Sequence, residues 1–254
     1  MNEITSVELT QKLCESYYNI LKNLDISYLD KNHPARPKEL SGIFLSSIPE
    51  NYHTAKNKIM IIGRETKGWG SFDQKSKNYS FTDLQDFIQK SVMDHQFFFK
   101  KQLLNKNTKG RSFHNFTREI AEKCGSDGIS YANLFCFSWQ RNIPTDCSHF
   151  EIIKKYSEKL LKTQIEILNP EIIIFANGVT GKSVEYRREF FPIELCVNQQ
   201  DYDVSHGIKR HYLWEFNYEN NHCFRIHHPS THGKNIQKVT EARKFLIEKL
   251  LPSK

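Results

Sequence analysis

The chain has 254 residues, 38% hydrophobic and 26% charged, which suits one large folded domain and excludes a disordered or fibrous protein. No apolar run reaches the roughly 20 residues needed to cross a bilayer, and residues 1–5 carry neither a basic n-region nor an apolar h-region, so no membrane span and no signal peptide are expected. The net charge of +7 fits a polyanionic partner; the six cysteines form no C-x-x-C pair and read as free thiols of a reducing, cytoplasmic compartment.

Residues 3–29 place Val7, Leu9, Leu13, Tyr17, Ile20, Leu21 and Leu24 at helical spacing, and Pro34 and Pro37 then break the chain. Residues 1–57 are expected to form a helical extension packed on the rest of a single domain. Ile59 to Ile62 are four consecutive apolar residues, the mark of a strand buried on both faces. Gly63 ends that strand and permits a sharp turn, Glu65 follows, and Gly68 and Gly70 open the loop. A carboxylate just past a strand's carboxyl end is held by the sheet yet faces a crevice. Residues 81–106 and 114–124 read as helices, the second stopped at Gly125.

Residues 130–137 form the next expected strand. Ser148 with Glu151 three residues on signals a capping box, starting a long helix to Leu168 that Asn169-Pro170 closes. Ile172 to Phe175 is a third buried strand, and Gly178 begins a turn into a helix over 180–190. Strand-like pieces at 211–216 and 223–226 flank a turn-rich stretch, and the second runs into His227-His228-Pro229-Ser230-Thr231-His232-Gly233. An amphipathic helix carrying Val239, Ala242, Phe245, Leu246 and Leu250 closes the chain. Strands alternating with helices predict an α/β fold, a parallel sheet covered on both faces.

Four strands thus end, in order, in Gly63-Arg64-Glu65, Asn133, Asn177-Gly178 and His228-Pro229-Ser230. This ordered set resembles the uracil-DNA glycosylase superfamily, over about residues 58–251. The resemblance implies a three-layer α/β/α fold with a central four-stranded parallel sheet, and a monofunctional DNA glycosylase that leaves an abasic site. It implies DNA as partner, a monomer, and no cofactor. Glu65 would stabilise the oxocarbenium-like sugar or orient water, and His228 would donate a hydrogen bond to the departing base. Gly63, Arg64, Thr66, Lys67 and Asn133 would contact the base, with Trp69 or Phe72, and Trp139 in reserve, as the stacking platform for a flipped nucleotide. Thr180, Lys182, Ser230 and Thr231 would contact phosphate, and His232 stands where the family has a leucine wedge.

Two departures from the family pattern bear on the substrate. Thr66-Lys67 replaces proline and the tyrosine that excludes C5 substituents, so the pocket is expected to admit a C5-modified pyrimidine in addition to, or instead of, uracil. Some superfamily members excise glycosylated hydroxymethylcytosine in antiviral defence, and such a role would suit this open gate. Thr231 replaces the family's second proline, and the acid is Glu rather than Asp, which moves the carboxylate by about 1.5 Å.

Other readings compete. Ala176-Asn177-Gly178-Val179-Thr180-Gly181-Lys182-Ser183 fits a relaxed P-loop, although no later strand ends in a magnesium-holding Asp. A catalytically silent DNA-binding member of the fold is a further alternative. No metal site is expected, because the histidines lack a helical i,i+4 pair and the cysteines lack iron–sulfur spacing.

Overall fold

The computed structural model describes residues 4–69, 83–110, 112–231 and 233–254. Six strands form one open sheet: β1 (Ile59–Gly63), β2 (Ile129–Asn133), β3 (Ile172–Phe175), β4 (Cys196–Asp201), β5 (Leu213–Tyr218) and β6 (Asn221–Ile226). Their order is β2-β1-β3-β6-β5-β4. The first four run parallel, and β5 and β4 are added antiparallel. The expected four-stranded parallel sheet is therefore the larger part of a mixed sheet of six. The count is corrected for a physical reason. A short turn with Glu219 at φ 51° joins β5 to β6 and forces an antiparallel hairpin. Strand β4 buries little beyond Cys196, so its sequence carries no core pattern.

The helices are α1 (Ser6–Leu21), α2 (Leu84–Leu104), α3 (Ser112–Cys124), α4 (Phe150–Leu168), α5 (Lys182–Phe190) and α6 (Ile236–Phe245). Thr5 caps α1 and closes a capping box with Glu8. The capping box expected at Ser148 does not form. His149 is the N-cap of α4, and Glu151 pairs instead with Lys154 at 3.2 Å. Asn169 ends α4 in the left-handed conformation, as its position before Pro170 suggests.

Strand pleating divides the interior into two cores. Met60, Ile62, Ala132 and Phe175 pack with Leu13 and Tyr17 of α1, Leu160 of α4 and Phe190 of α5. Ile59, Ile61, Tyr131, Ile174 and Phe224 pack with Phe116 and Ile120 of α3 and Val239 of α6. Helices thus cover both faces, an arrangement compatible with three α/β/α layers, and this double burial explains the unbroken apolar run of β1. The N-terminal helix belongs to the first core, and the Tyr17 hydroxyl donates to the Ser46 carbonyl at 2.8 Å. Because the four parallel strands share one direction, the residues following β1, β2, β3 and β6 emerge along one edge of the sheet.

Candidate active site

The loop after β1 is fixed before any side chain enters the argument. The amides of Leu134 and Phe135 donate to the carbonyls of Gly63 (3.0 Å) and Arg64 (2.9 Å), which carries the β1–β2 ladder past the strand ends. Gly68, at φ 89°, donates its amide to the Ser138 hydroxyl at 3.0 Å. The Ser138 amide in turn donates to the Ser41 hydroxyl at 2.9 Å. Thr66 closes this frame: its hydroxyl donates to Ser41 at 3.3 Å and accepts from the Trp69 amide at 3.2 Å. Arg36 anchors the outer side through the carbonyls of Tyr28 (2.7 Å) and Ser41 (2.6 Å).

Within that frame the Glu65 side chain is only 7% exposed. Arg64 Nε stands 3.6 Å from Glu65 Oε2, too far for a hydrogen bond, and among the described residues both atoms are buried without a hydrogen-bond partner. Burial raises the Glu65 pKa, and the positive charges of Arg64 and Lys67 hold it back. Asn133 lies opposite Gly63 across the β1–β2 ladder and is buried. The Tyr131 hydroxyl donates to Asn133 Oδ1 at 3.0 Å, which orients the amide and leaves Nδ2 buried without a hydrogen-bond partner among the described residues. Gly63 is required by this packing. A Cβ there would sit 2.5 Å from Asn133 Oδ1 and 3.3 Å from the Phe113 ring.

His228 closes the crevice from the far side. Its Nδ1 accepts the Ser230 amide at 3.1 Å, so the neutral ring carries its proton on Nε2. The amide and hydroxyl of Thr231 both donate to the His228 carbonyl, at 2.9 and 2.7 Å, and fix the turn. Burial first, then Arg64 and Lys67, lower the His228 pKa to about 3, so the ring is neutral near pH 7. Arg64 and Lys67 bear electrostatically on both Glu65 and His228, so the two loops lie near one another. Phe113, at the start of α3, joins them. Its ring is 5.1 Å from Tyr131 and 5.9 Å from His228, centroid to centroid.

Phe113 is the residue that the sequence left unmarked. It belongs to no motif, and only the fold brings its ring over Gly63. Two of the aromatics expected as a stacking platform lie among the described residues. Trp69 packs edge-on against Phe44 and Phe98, and Trp139 bridges to Leu40 beside His149. Phe72 and His232 lie outside the described residues. Lys67 is exposed and left-handed at φ 47°, within electrostatic reach of the crevice. Thr180 and Lys182 are exposed at the start of α5, where Lys182 pairs with Glu185 at 3.1 Å. His227 turns its ring onto Tyr212 at 4.2 Å.

In the stretch that fits a relaxed P-loop, the buried Ser183 hydroxyl donates to the Asn177 carbonyl at 2.9 Å. All six cysteines are free, and no group of three His, Cys, Asp or Glu side chains gathers to hold a metal among the described residues. No described helix is long and apolar enough to cross a membrane. No protein-family model matches the chain, and no curated protein matches it either.

Proposed function

We propose that this protein is a monofunctional DNA glycosylase that hydrolyses the bond between deoxyribose and a pyrimidine with a polar C5 substituent. The observation that carries the reading is that Glu65, Asn133 and His228 stand at the ends of parallel strands, with Phe113 touching both the Gly63 turn and His228, and that Glu65 Oε2, Arg64 Nε and Asn133 Nδ2 are buried there without a hydrogen-bond partner among the described residues. Buried polar atoms cost free energy unless a partner arrives, so a crevice holding three of them is built around a polar ligand.

The chemistry follows from the types of group present. Cleavage of an N-glycosidic bond builds positive charge on the sugar and negative charge on the base. Glu65, in a water-poor position, stabilises the developing cation and orients the water that adds to C1′. His228 offers its Nε2–H to the carbonyl oxygen of the departing base. Its neutrality suits that role, since the donated proton stays on the ring while the base leaves as an anion. Asn133 presents its free NH₂ to an acceptor on the pyrimidine edge, with Tyr131 holding the amide in register. Phe113 supplies the face on which an extruded base stacks.

The C5 preference is supported by what stands at the gate. Lys67 stands in place of the family's aromatic gate residue, and Arg64 Nε beside it is a donor without a hydrogen-bond partner among the described residues. Hydroxyls on a C5 substituent need such donors, and the donors are stranded when the substituent is missing. The test is an abasic-site assay on unmodified, uracil-containing and phage-modified genomic DNA. Abasic sites are expected chiefly in the modified DNA, and Lys67→Tyr should narrow that preference. Efficient uracil release with modified DNA left intact would remove the C5 assignment, and no release from any DNA would remove the glycosylase reading.

A further inference from the structure

On the other face of the sheet, α5 and the antiparallel strands border a shallow, open cleft with Phe175, Arg187, Arg188, Phe191, Trp214 and Phe216 among its walls. Two of its arginines belong to a group of three without a direct ion pair among the described residues. Arg187 and Arg225 are buried, at 5% and 8% exposure, and Arg188 is exposed. Among the described residues, no carboxylate oxygen comes within 4 Å of any of these three guanidinium groups. Asp201 bears on Arg225 but is already held by His211 Nδ1 at 2.7 Å and faces Arg210 Nε at 3.7 Å.

The hydrogen bonds of the buried pair are spent on neutral acceptors. Arg187 donates to the Gly178 carbonyl at 3.1 Å and to Asn177 Oδ1 at 3.4 Å, and Arg225 donates to the His211 carbonyl at 2.8 Å. The charges repel one another as well. Burial, with the fields of Arg225 and Arg188, lowers the Arg187 pKa to about 9, and burial with the field of Arg188 lowers that of Arg225 to about 10. Buried cations without anions are costly and are ordinarily paired. The planar guanidinium fork matches the oxygens of a tetrahedral oxyanion in particular.

The rings in the cleft do not offer a face to a nucleobase. Trp214 stacks on Phe216 at 4.1 Å and carries the Arg225 guanidinium at 5.7 Å. They form an apolar floor that strengthens the charges above it. We propose that Arg187, Arg188 and Arg225 form an anion site for a phosphate group, separate from the Glu65 crevice. The phosphate belongs either to a DNA backbone or to a small phosphorylated molecule. Arg187 also holds the turn that carries Thr180 and Lys182, so an occupied site would brace that turn.

The proposal stands independently of glycosylase activity and is tested on the full chain with inorganic phosphate, at ionic strength held constant with sodium chloride. Wild type should show a saturable rise in Tm of about 3 °C or more. Arg188→Glu, an exposed position that leaves the fold intact, should abolish the rise, and Lys244→Glu on the exposed side of α6 should keep it. Affinity for a labelled oligonucleotide then separates the sources. Weakening of about fivefold or more in Arg188→Glu but not in Lys244→Glu, with phosphate competing, assigns the site to DNA. Unchanged DNA affinity with the phosphate response lost assigns it to a small phosphorylated ligand. A wild-type Tm that responds to phosphate no more than to chloride overturns the proposal, as does an Arg188→Glu variant that responds as wild type does.

Discussion

Strands β2, β1 and β3 are buried along their whole length, and their polar groups gather past the carboxyl ends. Strand β5 alternates buried and half-buried positions and β4 is mostly exposed, and polar side chains sit within the strands themselves, as where Glu215 of β5 meets His222 Nε2 of β6 at 2.6 Å. Past the ends of β1 and β2 lie carboxylate and amide atoms buried without a hydrogen-bond partner among the described residues, whereas the guanidinium groups without an anion lie on α5 and on β6, where the antiparallel hairpin joins the parallel strands. A fully apolar strand gives the backbone rigidity and leaves recognition to the few residues after it. A half-exposed strand distributes charge over a surface, where it attracts a polyanion without reading its sequence.

If the chemistry belongs to the parallel part, changes there should alter turnover far more than affinity. His228→Ala removes the Nε2–H donor while Thr231 still fixes the turn through the backbone carbonyl. Turnover should fall about 100-fold with DNA affinity nearly unchanged, read by single-turnover kinetics beside a binding isotherm. Gly63→Ala tests the packing under that chemistry. Its Cβ would drive Asn133 Oδ1 and Phe113 outward, so chemical denaturation should show a loss of about 1–3 kcal/mol together with reduced activity.

Acid should act on the parallel part next. His95 is fully buried and accepts from the Ser47 amide at 2.9 Å, and burial lowers its pKa to about 3 from an ordinary 6.5. The unfolded chain takes up a proton below pH 6.5 that the folded chain refuses. Stability is therefore full above that pH and falls as pH drops from 6.5 toward 3, by about 1.4 kcal/mol per pH unit for this one group. His228 and His227, lowered to about 3 and about 4, add to the same slope. Glu65 acts with the opposite sign, because its raised pKa favours the folded state below 4.5 and loses that contribution as pH rises through the folded value. Urea melts between pH 7 and 4.5 should show a steep loss, and His95→Gln should flatten it.

The smallest effect belongs to Lys182. It is exposed and shared with Glu185, so Lys182→Ala should weaken DNA binding by only about threefold, equally for every sequence, with a shallower salt dependence. Binding that ignores salt would count against a DNA partner.

The parallel strands could be read from the sequence because burial on both faces writes continuous apolar runs, as in Ile59–Ile62 and Ile172–Phe175. Strand β4 could not, since Val197, Asn198 and Gln199 face solvent and form no pattern. Glu65, Asn133 and His228 stood out in the sequence because Asn133 ends a strand and the other two lie two residues past one. Phe113 was not, because its place depends on how α3 packs over Gly63, a contact across some fifty residues of sequence. The arginine group was equally hidden: Arg187 and Arg188 lie on a helix and Arg225 on a strand, and proximity comes only from the sheet order.

The most direct measurement compares wild type with Glu65→Gln on one modified DNA substrate, following abasic-site formation and DNA affinity in the same preparation. The substitution keeps the shape of the side chain and removes its charge. The account predicts turnover lower by roughly 1,000-fold with a dissociation constant within about twofold of wild type. Undiminished turnover, or a loss of affinity matching the loss of turnover, would contradict the assignment of Glu65 to the reacting sugar.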